Sequence, residues 1–168
     1  MEQTTLAPEI RGVLIPLTDA SVLLPNACVS EVITYGDPMP AEDAPEWVLG
    51  LVTWRGWRMP LFSYAKMVGR AEEEETSGAK VAILKAFGGI HKMPYMALLA
   101  QGFPRLTAIR SENLLFDGDQ EDLPEGVLYK VQINDEDALI PDLNGIERHL
   151  LQLIYHDETE DEEGEDDA

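Results

Sequence analysis

The sequence predicts an all-β protein with short helices, folded as small barrels. Its apolar runs are short, and turn residues recur between them, with 13 Gly and 11 Pro in 168 residues. A hairpin followed by a capped helix is predicted twice, with related sequence at Arg58–Ser63 (RMPLFS) and Leu139–Leu143 (LIPDL). Short strands separated by such turns favour small barrels over a parallel sheet. The hydrophobic fraction of 45% allows one ordinary core or two small adjoining ones.

The N-terminal part of the chain predicts two strands and a helical turn. Gly12–Leu17 and Ser21–Leu24 are apolar runs on either side of a Thr18–Asp19 turn. Pro16 has no backbone N–H, which favours an edge position for the first strand. Asn26–Thr34 begins with a possible capping residue and then becomes β-branched, which predicts a helical turn that passes into a strand.

A tight hairpin is predicted at the centre of the chain. Leu51–Trp54 and Trp57–Phe62 are apolar runs separated only by Arg55 and Gly56. A two-residue hairpin turn needs positive φ, which Gly56 adopts without steric cost. Arg55 then stands at the tip of the hairpin, with its guanidinium in water.

Short helical segments are predicted on both sides of this hairpin. Asp43 with a glutamate three residues later is typical of a capping box, and it predicts a helical turn over Glu46–Leu49 that the next glycine ends. After the hairpin, Ser63 can cap a short helix over Tyr64–Val68, which is also followed by a glycine.

The second half of the chain predicts more strands and a final helix. Val127–Ile133 has the period-two pattern of a half-buried strand, which places Tyr129 on its inward face. Asn144 with a glutamate three residues later predicts the cap of a final helix that runs to about Tyr155. The other predictions are strands over Val81–Phe87 and Met93–Ala100 around a Gly88–Gly89 turn, a strand or a turn over Ala108–Leu115, a loop over Asp117–Glu125 and a return strand over Ala138–Pro141.

Charge is distributed unevenly along the chain. The 32 Asp and Glu residues outnumber the 12 Lys and Arg residues, for a formal net charge of −20, and nine acidic residues lie in Asp157–Ala168. Glu72–Glu75 are consecutive, which predicts a solvated acidic link near 70–80. We therefore expect a flexible N-terminus over 1–9, one domain over 10–155 and a disordered acidic tail over 156–168.

The charge and the composition exclude several kinds of partner. A negative field repels nucleic acid and anionic membrane surfaces, so a basic protein is the more plausible partner. A binding module that acts as an acidic decoy for such a protein is therefore one candidate function. Cys28 is the only cysteine, and no export signal or membrane-spanning apolar run is visible, so we expect a cytoplasmic protein without membrane insertion.

The sequence contains no recognisable catalytic constellation. No histidine lies near Cys28 in sequence, so a small buried apolar role is favoured over that of a nucleophile. Asp117–Asp119 and Asp135–Asp137 lack the spacing of a calcium loop. His149 and His156 could share a helix face, but no further zinc ligand lies at a recognisable spacing. We expect no catalytic residue, no metal site and no cofactor.

The aromatic residues around Arg55 predict a binding surface. Trp47, Trp54 and Trp57 lie within eleven residues, in a chain with few other aromatics. Tryptophan and arginine dominate binding hot spots. The alternative, that Trp47 and one hairpin tryptophan fill a small barrel core, stays open. Arg55 is harder to explain by structure, since a turn tip requires no particular side chain there.

The stretch Ala44–Gly69 resembles the central signature of the CheW-like family. In that family a helical turn, a glycine, an N-x-R-G hairpin and an apolar V-P-V-x-D-L run lead to a short helix. Val29–Val32 (VSEV) is similar to the family's V-x-E-V segment, and weaker similarity extends over about residues 10–155. An acidic tail on a lone domain is also similar to the ChpC-type adaptors of type IV pilus chemosensory systems.

This resemblance implies two small five-stranded SH3-like barrels that share an apolar interface. It implies a non-enzymatic adaptor that couples methyl-accepting chemoreceptors to a CheA-type histidine kinase, in chemotaxis or twitching motility. The receptor's helical tip would lie against the groove between the barrels, and the kinase's regulatory domain would meet one barrel edge. By position, Val29, Glu31, Gly50 and Arg55 correspond to the family's receptor- or kinase-contacting residues.

The chain differs from the family pattern at several of these positions. Thr53 and Trp54 replace Asn-Leu before Arg55, and Ser63 replaces an aspartate. Ala100 stands at the acidic position of the family's V-V-D-x-V segment. An auxiliary adaptor with a restricted set of receptors is therefore an alternative to standard kinase coupling.

Overall fold

The computed structural model describes the backbone of residues 9–87 and 93–165, and the side chains of those residues as far as Ile154. The predictions made for 1–8, for the Gly88–Gly89 turn and for 166–168 lie outside the described residues.

The described residues form strands and a few helical segments. In chain order the strands are β1 (Ile10–Leu17), β2 (Ala20–Pro25), β3 (Val29–Thr34), β4 (Val48–Trp54), β5 (Trp57–Phe62), β6 (Lys80–Lys85), β7 (Tyr95–Ala100), β8 (Arg105–Ile109), β9 (Leu114–Phe116), β10 (Val127–Ile133) and β11 (Glu136–Pro141). The helical segments are a 3₁₀ turn (Asn26–Cys28), α1 (Tyr64–Met67) and α2 (Leu143–Glu165).

The strands form two sheets, and the six-stranded sheet combines strands from the two ends of the described chain. The six-stranded sheet has the order β8–β1–β2–β11–β10–β9, and the five-stranded sheet has the order β3–β6–β7–β5–β4. Each sheet joins two antiparallel hairpins through one parallel pair, β2 with β11 and β5 with β7. The predicted repeat of a hairpin followed by a helix is therefore present as β4–β5–α1 and β10–β11–α2.

One sheet has six strands where five were predicted. The sequence left Ala108–Leu115 open between a strand and a turn, and the structure places a turn within it, between β8 and β9. Asn113 stabilises that turn, because its side chain accepts a hydrogen bond from the Arg110 amide (2.8 Å) and donates one to the Ala108 carbonyl (2.8 Å). An asparagine that bonds its own backbone in this way interrupts a strand.

The strands at the centre of the molecule are buried on both faces. Successive residues of a strand point to opposite sides, so Val13 lies in a core between the two sheets whereas Leu14 lies in the core of the six-stranded sheet. In β6, Ala82 and Val81 are divided in the same way between the shared core and the core of the five-stranded sheet. Prominent members of the shared core are Val13, Ile15, Val22, Leu24, Phe62, Tyr64, Leu84, Met96, Leu98, Ile146 and Leu150.

Both helices cover this shared core, and each has a side-chain cap. Ser63 caps α1 as predicted, accepting a hydrogen bond from the Lys66 amide. The cap of α2 is Asp142, whose Oδ1 accepts from the Gly145 amide at 3.1 Å, and not Asn144 as predicted. The reason is that β11 ends at Pro141, so that Asn144 already lies inside the first helical turn.

The backbone of α2 is helical to Glu165, so it continues beyond the predicted end near Tyr155 and into the segment predicted to be a disordered tail. No proline follows Tyr155, so every residue of this segment has the backbone N–H that a helix needs. Neither helix, within the described residues, combines the length and hydropathy that a membrane crossing requires.

The predicted helical turn over Glu46–Leu49 is wrong. The Val48 amide donates to the Pro45 carbonyl (3.0 Å), which forms a single turn, and β4 begins at Val48. Tertiary pairing overrides the capping pattern, because Met39 exchanges two backbone hydrogen bonds with Leu51. This pairing draws the start of β4 into an extended conformation.

Two further predictions are corrected, one about the position of a strand in its sheet and one about the face on which a side chain lies. Pro16 is in β1, which is an interior strand and not an edge strand as predicted. The neighbouring strand β8 pairs only with residues 10–14 of β1. Beyond that pairing, the Pro16 carbonyl accepts a hydrogen bond from the Gln101 amide at 2.8 Å. The missing N–H of Pro16 therefore costs no sheet bond.

Tyr129 is exposed and not inward as predicted, and its ring packs on that of the exposed Phe116 at 5.5 Å between centroids. A bulge between Val127 and Tyr129 shifts the register, so that Val127 lies in the shared core whereas Val131 and Ile133 lie in the core of the six-stranded sheet.

Replacing Gly50 with alanine should destabilise the fold by roughly 2–4 kcal/mol, through backbone strain and steric overlap. Gly50 has φ +146°, and a Cβ there would lie 2.4 Å from the Met39 carbonyl oxygen. Urea unfolding of the purified protein measures the loss. Gly36→Ala is the matched control, because nothing lies within 4 Å of a Cβ at Gly36. Equal stability losses in the two variants would contradict the assignment.

Candidate partner-binding site

Arg55 stands at the tip of the β4–β5 hairpin, as predicted. Arg55 (φ 49°) and Gly56 (φ 82°) both have left-handed backbone conformations, as a type I′ turn requires. The sequence predicted positive φ only at Gly56. The strands pair in register up to Trp54 and Trp57, so the turn contains these two residues alone. The Arg55 side chain is 70% exposed.

Glu31 positions the two side chains that precede and form this turn. The indole N–H of Trp54 donates a hydrogen bond to Oε2 of Glu31. The other oxygen, Oε1, lies 3.7 Å from Nη2 of Arg55. Glu31 is in β3 and Trp54 in β4, which are the two edge strands of the five-stranded sheet. These contacts therefore connect the edges of that sheet.

Aromatic rings support the guanidinium. The Arg55 Cζ lies 4.9 Å from the Trp54 ring centroid, within the range of a cation–π contact. Trp54 packs edge-to-face on Tyr95 at 4.9 Å between centroids, and Trp57 contacts the same tyrosine at 6.4 Å. We call Glu31, Trp54, Arg55, Trp57 and Tyr95 the hairpin-tip cluster.

Tyr95 is the member of the cluster that the sequence did not predict. It begins β7, which pairs in parallel with β5, and it is distant from the hairpin in the chain. Its only local signal is an aromatic side chain at the start of an apolar strand. The parallel crossover that brings it to the hairpin cannot be read from adjacent residues.

The ion pair in the cluster contributes little to folding. With Arg55 70% and Glu31 40% exposed, solvent screens the pair, and such contacts are worth about 0–1 kcal/mol. Trp54 is partly buried against the core of the five-stranded sheet, so it has a structural role as well. The guanidinium is therefore oriented by its neighbours but remains available to another molecule.

Three other predicted site residues lie apart from the cluster. Trp47 packs edge-to-face on Phe62 and on His149, each at 6.3 Å between centroids, and is partly buried against the shared core. Gly50 is buried beside Met39, and Val29 packs partly against the shared core. The structure thus groups Trp54 and Trp57 with Arg55 but separates Trp47 from them.

The residues weighed for chemistry are placed as follows. Cys28 is buried, and loss of solvation raises the pKa of its thiol, which disfavours the reactive thiolate. His149 lies 2.9 Å from a Glu125 oxygen, whereas His91 and His156 fall outside the described side chains. Within the described part of the chain, no three His, Cys, Asp or Glu side chains are grouped as metal ligands.

Two sheets with a shared core, covered by two helices, define a two-barrel SH3-like fold. A solved structure, the scaffolding protein TtCheW from Thermoanaerobacter tengcongensis, is similar with a TM-score of 0.67 and 15% sequence identity, over 85% of this chain and 90% of that chain. The model of the CheW-like domain family matches residues 11–150. The chain belongs to the CheW-like domain family. A comparison with curated protein sequences finds no match.

Trp54→Phe should destabilise the protein more than Glu31→Gln. Phenylalanine loses the hydrogen bond to a charged group and part of the ring area packed on Tyr95, at a cost of about 1–2 kcal/mol. Glutamine keeps an acceptor for the indole and loses only an exposed ion pair, at a cost below about 1 kcal/mol. Urea unfolding followed by circular dichroism measures both. A larger loss for Glu31→Gln would show that the ion pair carries the stability.

Proposed function

We propose that this protein is a non-enzymatic adaptor that couples methyl-accepting chemoreceptors to a CheA-type histidine kinase. Membership of the CheW-like family supports this role, and the observation that carries it is the exposed, oriented guanidinium of Arg55. A buried or fully neutralised arginine would have a structural role. Arg55 is instead positioned by Glu31 and Trp54 and faces solvent, where a partner can reach it. The adaptor works in the cytoplasm, recruited to receptor arrays at the inner membrane.

The family resemblance implies that the receptor's helical tip lies between the barrels, and we assign it to a groove of the six-stranded sheet beside the 3₁₀ turn that joins them. Arg11, Gly12, Asn26 and 106–108 line a groove of about 250 Å³, where the 3₁₀ turn leads from the six-stranded to the five-stranded sheet. Leu106 there is 75% exposed. An apolar groove of this kind suits the helical tip of a receptor. Val29 begins the strand that follows this turn, which supports its assignment to the receptor contact.

The kinase side of the adaptor would be the hairpin-tip cluster. It combines one cation with exposed aromatic surface at a sheet edge, and these are the residue types that dominate protein interfaces. Thr53 and Trp54 replace the asparagine and leucine of the family pattern, and Trp54 gives this surface a larger aromatic side chain. This difference supports a kinase partner that is specific to this chain. We infer that the system is of the type IV pilus, twitching-motility kind, with this chain as a ChpC-type adaptor.

Arg55→Glu should weaken capture of the kinase or the receptor tip at least about tenfold, because it reverses the charge presented to the partner. A pull-down with purified CheA-type kinase and receptor signalling fragment measures each interaction. Arg70→Glu is the matched control, since it makes the same charge change at an exposed arginine after α1 that belongs to neither proposed surface. Unchanged binding to both partners by Arg55→Glu would refute the site.

A charge-swapped variant separates partner contact from positioning. Glu31→Arg with Arg55→Glu restores the opposite charges of the pair but not the charge at the tip. We expect binding to stay weak in this double variant. Recovery of binding would mean that Arg55 acts only by orienting its neighbours.

Deleting Asp157–Ala168 tests the alternative of an acidic decoy. The deletion removes nine of the 32 acidic residues. A decoy that depends on its negative field should lose most of its binding to a basic protein, whereas the adaptor should retain kinase and receptor capture. An intact chain that binds a basic protein but neither the kinase nor the receptor, and that loses this binding on deletion, would favour the decoy.

A further inference from the structure

A groove along α2 is used by neither proposed adaptor surface. A cavity of about 520 Å³ is bounded by Trp47, Met67 and Ile146, and a neighbouring cavity of about 610 Å³ extends it towards Leu153. The two cavities share Pro45, Trp47, His149 and Gln152. We call them together the α2 groove. None of these residues belongs to the hairpin-tip cluster or to the groove at the 3₁₀ turn.

The walls of the α2 groove are held in place by specific contacts. Trp47 lies between Phe62 and His149, with edge-to-face contacts to both. Gly126 has φ +93°, which strains any larger residue, and a Cβ there would lie 2.7 Å from the Met67 sulfur and would displace that side chain from the wall. The floor is therefore apolar and preorganised, which lowers the entropic cost of binding.

The rim of the α2 groove is acidic. Asp43, Glu125 and Asp142 contribute three carboxylates, against the single guanidinium of Arg148. The Glu125 side chain is 82% exposed although it pairs with His149. Beyond the groove, the backbone of α2 stays helical to Glu165, and seven of the nine residues at 157–165 are Asp or Glu. The field at this groove therefore favours a cationic partner.

We propose that the α2 groove docks a basic amphipathic helix of a protein partner. The groove follows α2 over Gly145–Leu153, two helical turns or roughly 12 Å, which matches the apolar stripe of a short helix. Leucine-type side chains of the partner occupy the floor beside Trp47. Lysine and arginine side chains on its flanks face the carboxylates of the rim.

Designed peptides test this proposal on the full chain. The probe is a fluorescein-labelled helical peptide of about 14 residues, with leucine on one face and lysine on the other. Fluorescence anisotropy should show binding at least about tenfold tighter than that of a leucine/glutamate peptide. A lysine/alanine peptide should bind at least about fivefold more weakly than the leucine/lysine probe, because it cannot fill the floor.

Two groove variants and one control locate the binding. Glu125→Lys and Gln152→Lys each add positive charge at the groove and should each weaken probe binding at least about threefold. Glu112→Lys makes the same charge change as Glu125→Lys, in the turn between β8 and β9, and should leave binding nearly unchanged. Equal weakening by Glu112→Lys and Glu125→Lys would overturn the proposal in favour of general attraction to a negative chain.

The indole N–H signals in NMR spectra give a second, site-resolved measurement. The three tryptophans give three such signals, and Trp47→Phe identifies the one in the groove. If that variant does not fold, the Met67 methyl signal serves instead. Binding should shift the Trp47 or Met67 signal and leave those of Trp54 and Trp57 in place. Shifts confined to Trp54 and Trp57 would place the peptide at the hairpin tip and overturn the proposal.

Discussion

The shared core between the two sheets is the constraint on which the rest of the structure depends. Strands β1, β2, β6 and β7 each bury one face in their own barrel and the other against the opposite sheet. Fully burying an aliphatic side chain contributes about 1.5–3 kcal/mol, so two-sided burial doubles what each of these strands contributes. Phe62, Tyr64 and Ile146 close the same core from β5, α1 and α2, which fixes both helices against the sheets.

Because the core orients the five-stranded sheet, the β4–β5 hairpin projects in one direction and its tip is defined. The edge strands β3 and β4 then approach closely enough for Glu31 to contact Trp54 and Arg55. This arrangement uses a weak, solvent-screened ion pair for orientation, while burial of Trp54 and Tyr95 supplies the stability. A side chain oriented in this way loses little further entropy when a partner binds.

Two of the proposed binding surfaces of this domain differ in charge. The hairpin tip presents a cation in a chain with net charge −20, so a partner that docks there must tolerate or match a local positive site within a negative field. The α2 groove presents carboxylates around an apolar floor. Electrostatic complementarity governs specificity and association rate more than affinity, so these two proposed surfaces favour partners of different charge.

Local patterns determined the features of this protein that depend on a few adjacent residues. The β4–β5 turn, the Ser63 cap and the bounds of β10 were all predicted, because glycine conformation, capping oxygens and side-chain alternation act within a single element. Tertiary structure decided which strands share a sheet, since β1 and β2 join β8–β11 across most of the chain length. It also separated Trp47 from Trp54 and brought Tyr95 to Arg55. Parallel crossovers and two-sided burial depend on contacts between residues that are far apart in the sequence, so no short segment predicts them.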